Sequence, residues 1–74
     1  MIVAKRLELF GRGNAWFAME NYENAIQDFS EAIQLNNQEG KYFYRRGISF
    51  CEKKDYEKGI EDLSELLRLN PMDS

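Results

Sequence analysis

Residues 21–36 read NYENAIQDFSEAIQLN, and residues 55–70 read DYEKGIEDLSELLRLN. The two stretches are offset by thirty-four residues, and the same offset aligns 6–39 with 40–73 without a gap. Ten of the 34 aligned positions are identical, among them Arg12/Arg46, Gly13/Gly47, Tyr22/Tyr56, Asp28/Asp62 and Ser30/Ser64. Others keep their chemistry, as in Leu9/Phe43, Phe10/Tyr44, Trp16/Phe50 and Phe29/Leu63. A fixed period of this length marks one supersecondary unit used twice.

Each unit reads as two helices. In 22–35 the apolar residues Tyr22, Ala25, Ile26, Phe29, Ala32, Ile33 and Leu35 recur mainly in steps of three and four, which is one face of a helix. Tyr56, Ile60, Leu63, Leu66, Leu67 and Leu69 repeat that face in 56–69. Glu23, Gln27, Asp28, Glu31 and their counterparts form the opposite face and read as solvated. Asn21 and Asp55 read as caps or turn residues, and Glu23 and Glu57 suit the positive end of a helix. Asn70-Pro71 predicts the end of the last helix, because a residue before proline avoids the helical region.

The segments near 6–19 and 40–53 are helical in pattern too. Leu9, Gly13, Trp16 and Phe17 recur at helical spacing, as do Phe43, Gly47, Phe50 and Cys51. An interior glycine costs a helix ~1 kcal/mol relative to alanine. Its recurrence at Gly13 and Gly47 therefore predicts a close approach of two helices. Short links make each pair antiparallel. The expectation is an all-α fold: a single domain over 1–74, built as a tandem antiparallel helix-turn-helix α-solenoid of two repeats (6–39 and 40–73) and four helices.

Composition narrows the function. A chain of 74 residues holds at most one domain, with a small core. One cysteine forms no internal disulfide, and no histidine is present to act as base or metal ligand. A net charge of −3 argues against nucleic acid as partner. No apolar run approaches the ~20 residues of a membrane span. The opening MIVAKRLELF is broken by Lys5, Arg6 and Glu8, so it reads as neither signal peptide nor anchor. A cytoplasmic protein with no membrane contact is expected. Ser30 and Ser64 have no histidine to activate them. Asp28 with Glu31, and Asp62 with Glu65, recur on a polar helix face as surface acids do. No catalytic residue, cofactor or metal site is expected, and the protein does not read as an enzyme.

The residues Leu9, Gly13, Trp16, Tyr22, Ala25, Phe29 and Ala32 resemble the signature of a tetratricopeptide repeat. So do Phe43, Gly47, Phe50, Tyr56, Gly59, Leu63, Leu66 and Pro71, and the resemblance covers 6–73. The chain departs from the family at Arg12 and Arg46, where leucine is common, and at Gly59, where alanine is usual. It also departs at Leu66, which is larger than usual, and at Asn37, which replaces a proline.

The resemblance implies that the first helix of each repeat lines a concave groove. That places Leu7, Phe10, Asn14 and Phe17 there, with Lys41, Tyr44, Arg45, Ile48, Cys51 and Glu52. Segment 40–54 holds five cations and one acid, whereas 22–35 holds three acids and no cation. An anionic protein segment would suit such a groove. The implied function is a protein–protein interaction adaptor or scaffold that binds a peptide or partner helix. Phe10, Phe17 and Tyr44 would supply apolar contact, and Asn14, Lys41 and Arg45 would hold polar or anionic groups. Asn14, Lys41 and Arg45 also resemble part of the clamp with which some family members hold the C-terminal carboxylates of heat-shock chaperones. Phe10 stands where that clamp has its first lysine.

A repeat buries its apolar face only against a neighbour. Leu63, Leu66, Leu67 and Leu69 are expected to lie open at one end, and Ile2, Val3 and Leu7 at the other. Self-association follows as the alternative role, most simply a symmetric dimer or an exchange of helices between copies. A piece of a longer array would show the same open ends.

Overall fold

A computed structural model describes residues 2–69, with side chains from residue 4 onward. The helix stop expected at Asn70-Pro71 and the side chains of Ile2 and Val3 lie outside the described residues. Four helices follow one another: α1 (Ile2–Ala18), α2 (Tyr22–Leu35), α3 (Gly40–Glu52) and α4 (Tyr56–Leu69). The fold is all-α and fits two tandem repeats. α1 packs on α2, α3 on α4, and α2 on α3, while α1 touches α3 more lightly. Among the described residues α4 packs against α3 alone. The body measures 32 × 31 × 16 Å, a slab two helices thick.

The turn inside each hairpin is built the same way twice. Glu20 and Lys54, one period apart, both adopt left-handed backbone, with φ of 62° and 70°. In the first turn the Asn21 N–H donates to the Trp16 carbonyl and the Glu20 N–H to that of Phe17, both at 2.9 Å. In the second the Asp55 N–H donates to Phe50 at 2.8 Å and the Lys54 N–H to Cys51 at 2.9 Å. Paired bonds of this kind satisfy the last carbonyls of a helix and reverse the chain. The Asn21 side chain then accepts from the Asn24 N–H at 3.4 Å, as a cap does.

The glycines mark close crossings. A Cβ on Gly13 would lie 2.5 Å from the Phe29 ring, and one on Gly47 would lie 3.2 Å from the Gly59 carbonyl oxygen. Gly59, where the family favours alanine, would bring a Cβ 2.5 Å from the Cys51 sulfur. The larger Leu66 is accommodated because Gly40 faces it, and a Cβ there would meet Leu66 at 2.8 Å. Leu9, Ala32 and Tyr42 form a core cluster joining α1, α2 and α3, with Phe10 and Ile33 against it.

One expectation is overturned. Asp28 and Asp62 do not belong to a solvated face; both are buried. Arg12 forks onto Asp28 at 2.8 and 3.0 Å, and Arg46 forks onto Asp62 at 2.7 and 2.8 Å. The departure from leucine at Arg12 and Arg46 thus has a partner sixteen residues on. A buried carboxylate is tolerated when a planar guanidinium satisfies it bidentately. The third Arg46 nitrogen donates to the Ser30 hydroxyl of α2 at 3.0 Å, so this one side chain ties three helices.

Candidate functional site

The residues expected to line the groove lie on α1 and α3, which touch only lightly. Two cation–aromatic pairs bridge these helices: the Lys41 ammonium stands 5.5 Å from the Phe10 ring centre, and the Arg45 guanidinium 5.7 Å from that of Phe17. Lys41 and Arg45 are four apart, and Phe10 and Phe17 seven apart, so each pair of residues sits on one side of its helix. The attraction of a cation for a ring face holds each pair in register.

Asn14 lies between the two phenylalanines in α1. Its buried amide oxygen has no hydrogen-bond partner among the described residues. A buried polar atom left unmatched costs free energy until a partner arrives. At the α2 end, Phe17 meets Tyr22 edge-on, with ring centres 5.3 Å apart. Burial pushes the Tyr22 phenol up, and the charges of Glu52 and Glu20 push it further, with a hydrogen bond to Glu52 adding to this. That end of the groove therefore carries an acid. At the other end a small pocket of about 110 Å³ lies among Arg6, Leu7, Glu39, Lys41 and Tyr42.

The remaining groove candidates sit differently. Tyr44 is exposed and lines a second pocket with Glu39, Gly40, Lys41, Leu66 and Leu69. Ile48 is half-buried one turn beyond Tyr44. Cys51 does not belong with the groove residues, since its sulfur packs toward Gly59 of α4. The basic wall is also thinner than charge counting implies. Arg46 is committed to Asp62 and Ser30, and Lys53 pairs with Glu23 of α2 at 2.7 Å. Lys41 and Arg45 stand over the groove's aromatic rings, with Glu39 3.9 Å from Lys41.

At the open end Leu67 is 57% exposed and Ile60 62% exposed. Leu63, Leu66 and Leu69 are half-buried; Leu63 faces Gly47, and Leu66 and Leu69 line the Tyr44 pocket. The signal for Ile60 was present in the sequence, as the counterpart of Ile26, which is half-buried on α2. Among the described residues no group of three or more Cys, Asp or Glu could hold a metal ion, and no helix is long and apolar enough to cross a membrane.

Paired helices stacked by a fixed period define a helical-repeat fold. The family model of the tetratricopeptide repeat matches residues 7–38, and the four helices fit two such repeats in tandem. Repeats of this family generally serve as protein–protein interaction modules and are typically non-catalytic. No curated protein matches the chain.

Proposed function

We propose that the protein is an interaction adaptor that binds an acidic peptide or the acidic face of a partner helix in the groove between α1 and α3. The supporting observation is the alignment of Lys41 over Phe10 and Arg45 over Phe17, with the unmatched Asn14 amide between them. The two cations would receive carboxylates, Arg45 through its planar fork. The ring edges of Phe10 and Phe17 would take apolar side chains, and the Asn14 amide would take a backbone group of the ligand. Such a groove gives specificity through paired charge and affinity through a few aromatic anchors.

The test is fluorescence polarisation with a panel of labelled ten-residue acidic peptides. Binding to the unaltered chain should weaken at least tenfold in Arg45→Glu, while circular dichroism keeps the same helicity. Equal affinity in both proteins would remove the groove from consideration.

A further inference from the structure

The cations that hold this fold together sit close to an acid. Arg12, Arg46 and Lys53 each have a carboxylate oxygen at 2.8, 2.7 and 2.7 Å respectively. Arg6 differs. It is half-buried, and its Nε finds no hydrogen-bond partner among the described residues. A cation drawn from water without a counter-charge is unfavourable, so the fold leaves this group in need of an anion.

The core brings a second under-used cation to the same place. Arg6 precedes Leu9 and Phe10 by three and four residues, so it leaves α1 on their side. Leu9 packs with Tyr42 of α3, and the ring centres of Phe10 and Tyr42 are 5.4 Å apart. That contact draws the start of α3 toward α1 and sets Lys41, the neighbour of Tyr42, beside Arg6. The acid next to Lys41, Glu39, stops at 3.9 Å, well beyond the roughly 2.7–2.9 Å of a charge-assisted bond. Arg6, Lys41, Leu7, Glu39 and Tyr42 line a pocket of about 110 Å³, several times what one water needs. Two cations against one acid leave its lining with a single positive charge to be met.

We infer that this pocket is a subsite for one carboxylate, the side chain of an Asp or Glu in a segment bound between α1 and α3, and that Arg6 recognises it. The inference rests on the binding function proposed above. It adds a second anchor, distinct from Arg45, and states the charge that the ligand brings there. Arg6 offers a planar donor fork and Lys41 a mobile point charge. The exposed Leu7 gives the methylenes of the acidic side chain an apolar wall. A phosphorylated side chain suits the pocket less well, because it brings about 1.5–2 negative charges and sets the excess beside Glu39. A neutral amide leaves Arg6 as unmatched as before.

The probe is the tightest-binding acidic peptide of the fluorescence panel, acetylated and amidated so that its ends carry no charge. Each acid is changed in turn to its amide, and each peptide is titrated against the unaltered chain and against Arg6→Gln. At one acidic position the change should cost about tenfold with the unaltered chain, the worth of one charge-assisted bond, and nothing further with Arg6→Gln. Arg45→Ala should leave that coupling in place. Arg6→Gln should unfold at the same temperature as the unaltered chain, since its loss breaks no ion pair among the described residues. In heteronuclear NMR the Arg6 Nε–H signal, assigned by its absence in Arg6→Gln, should move when the peptide is added. Glu39 makes no side-chain capping bond to α3, so Glu39→Gln should keep the fold and tighten binding.

If Arg6→Gln binds every peptide as the unaltered chain does while Arg45→Glu weakens them, the pocket is dismissed and the groove stands. If no peptide binds, both fall. Tighter binding by phosphoserine at the coupled position, or weaker binding by Glu39→Gln, would overturn the assignment to a single carboxylate.

Discussion

Arg46 joins three helices, and its removal should be felt well beyond one ion pair. In Arg46→Ala the buried Asp62 carboxylate loses both of its guanidinium bonds, at 2.7 and 2.8 Å, and the Ser30 hydroxyl loses a third at 3.0 Å. The guanidinium also leaves the faces of Phe43 and Phe50, each 5.8 Å away. Removing one partner of a buried pair costs about 3–5 kcal/mol. The lower end applies, because the Arg46 side chain keeps 22% of its surface and water can reach the site. A domain of this size is stable by only about 4–11 kcal/mol. With an unfolding entropy of about 2.1 cal/mol/K per residue, a loss of about 3 kcal/mol lowers the Tm by roughly 20 °C. The assay is thermal unfolding followed by far-UV circular dichroism. Arg12→Ala is the internal control: it breaks the same fork in the other repeat, but that arginine is 56% exposed and, among the described residues, hydrogen-bonds to Asp28 alone. Its Tm should fall much less. Arg46→Met with Asp62→Leu should recover most of the loss, since an apolar pair can replace a buried ion pair. Equal shifts at the two arginines, or a drop below about 5 °C in Arg46→Ala, would refute the three-helix role.

Gly59→Ala should destabilise the second hairpin by about 1–3 kcal/mol, because its Cβ would meet the Cys51 sulfur at 2.5 Å and the Gly47 carbonyl at 3.0 Å. Cys51→Ala should relieve only part of this in urea unfolding, since the backbone contact stays. Lys54→Gly should raise the Tm, because a side chain at φ 70° is strained and glycine is not; an unchanged or lower Tm would contradict the turn geometry. The Lys53 hydrogen bond, and then its charge, hold the Glu23 carboxyl below its ordinary value of 4.5. Its stabilising contribution is therefore whole above that pH and fades as pH falls through the lower folded value. In Lys53→Ala an NMR titration should find the Glu23 pKa moved up toward the ordinary range, and an unmoved value would dismiss the pair.

The period alone carried the architecture. Once Tyr22 through Asn36 is seen again from Tyr56 to Asn70, the helix faces, the hairpins and the two-repeat order follow, because helical spacing and short links leave few alternatives. Gly13 and Gly47 announced close crossings for the same reason, since nothing but a steric demand accounts for glycine twice at one place in a helix. The Arg–Asp forks were written in the sequence as well. Arg12 with Asp28 recurs as Arg46 with Asp62, but a one-dimensional reading of the second helix assigns both acids to its polar side.

Tertiary structure decided how the charges are used. Counting cations in 40–54 treats Arg46 and Lys53 as equal to Lys41 and Arg45, yet packing sends the first two to α4 and α2 and leaves the others over Phe10 and Phe17. Which face a long side chain serves depends on the helices beside it, and helical period says nothing of that. The difference between Ile26 and Ile60 has the same origin. The residues are identical and sit at the same repeat position, but one is half-buried and the other open, because α3 covers α2 and no described helix covers the outward face of α4.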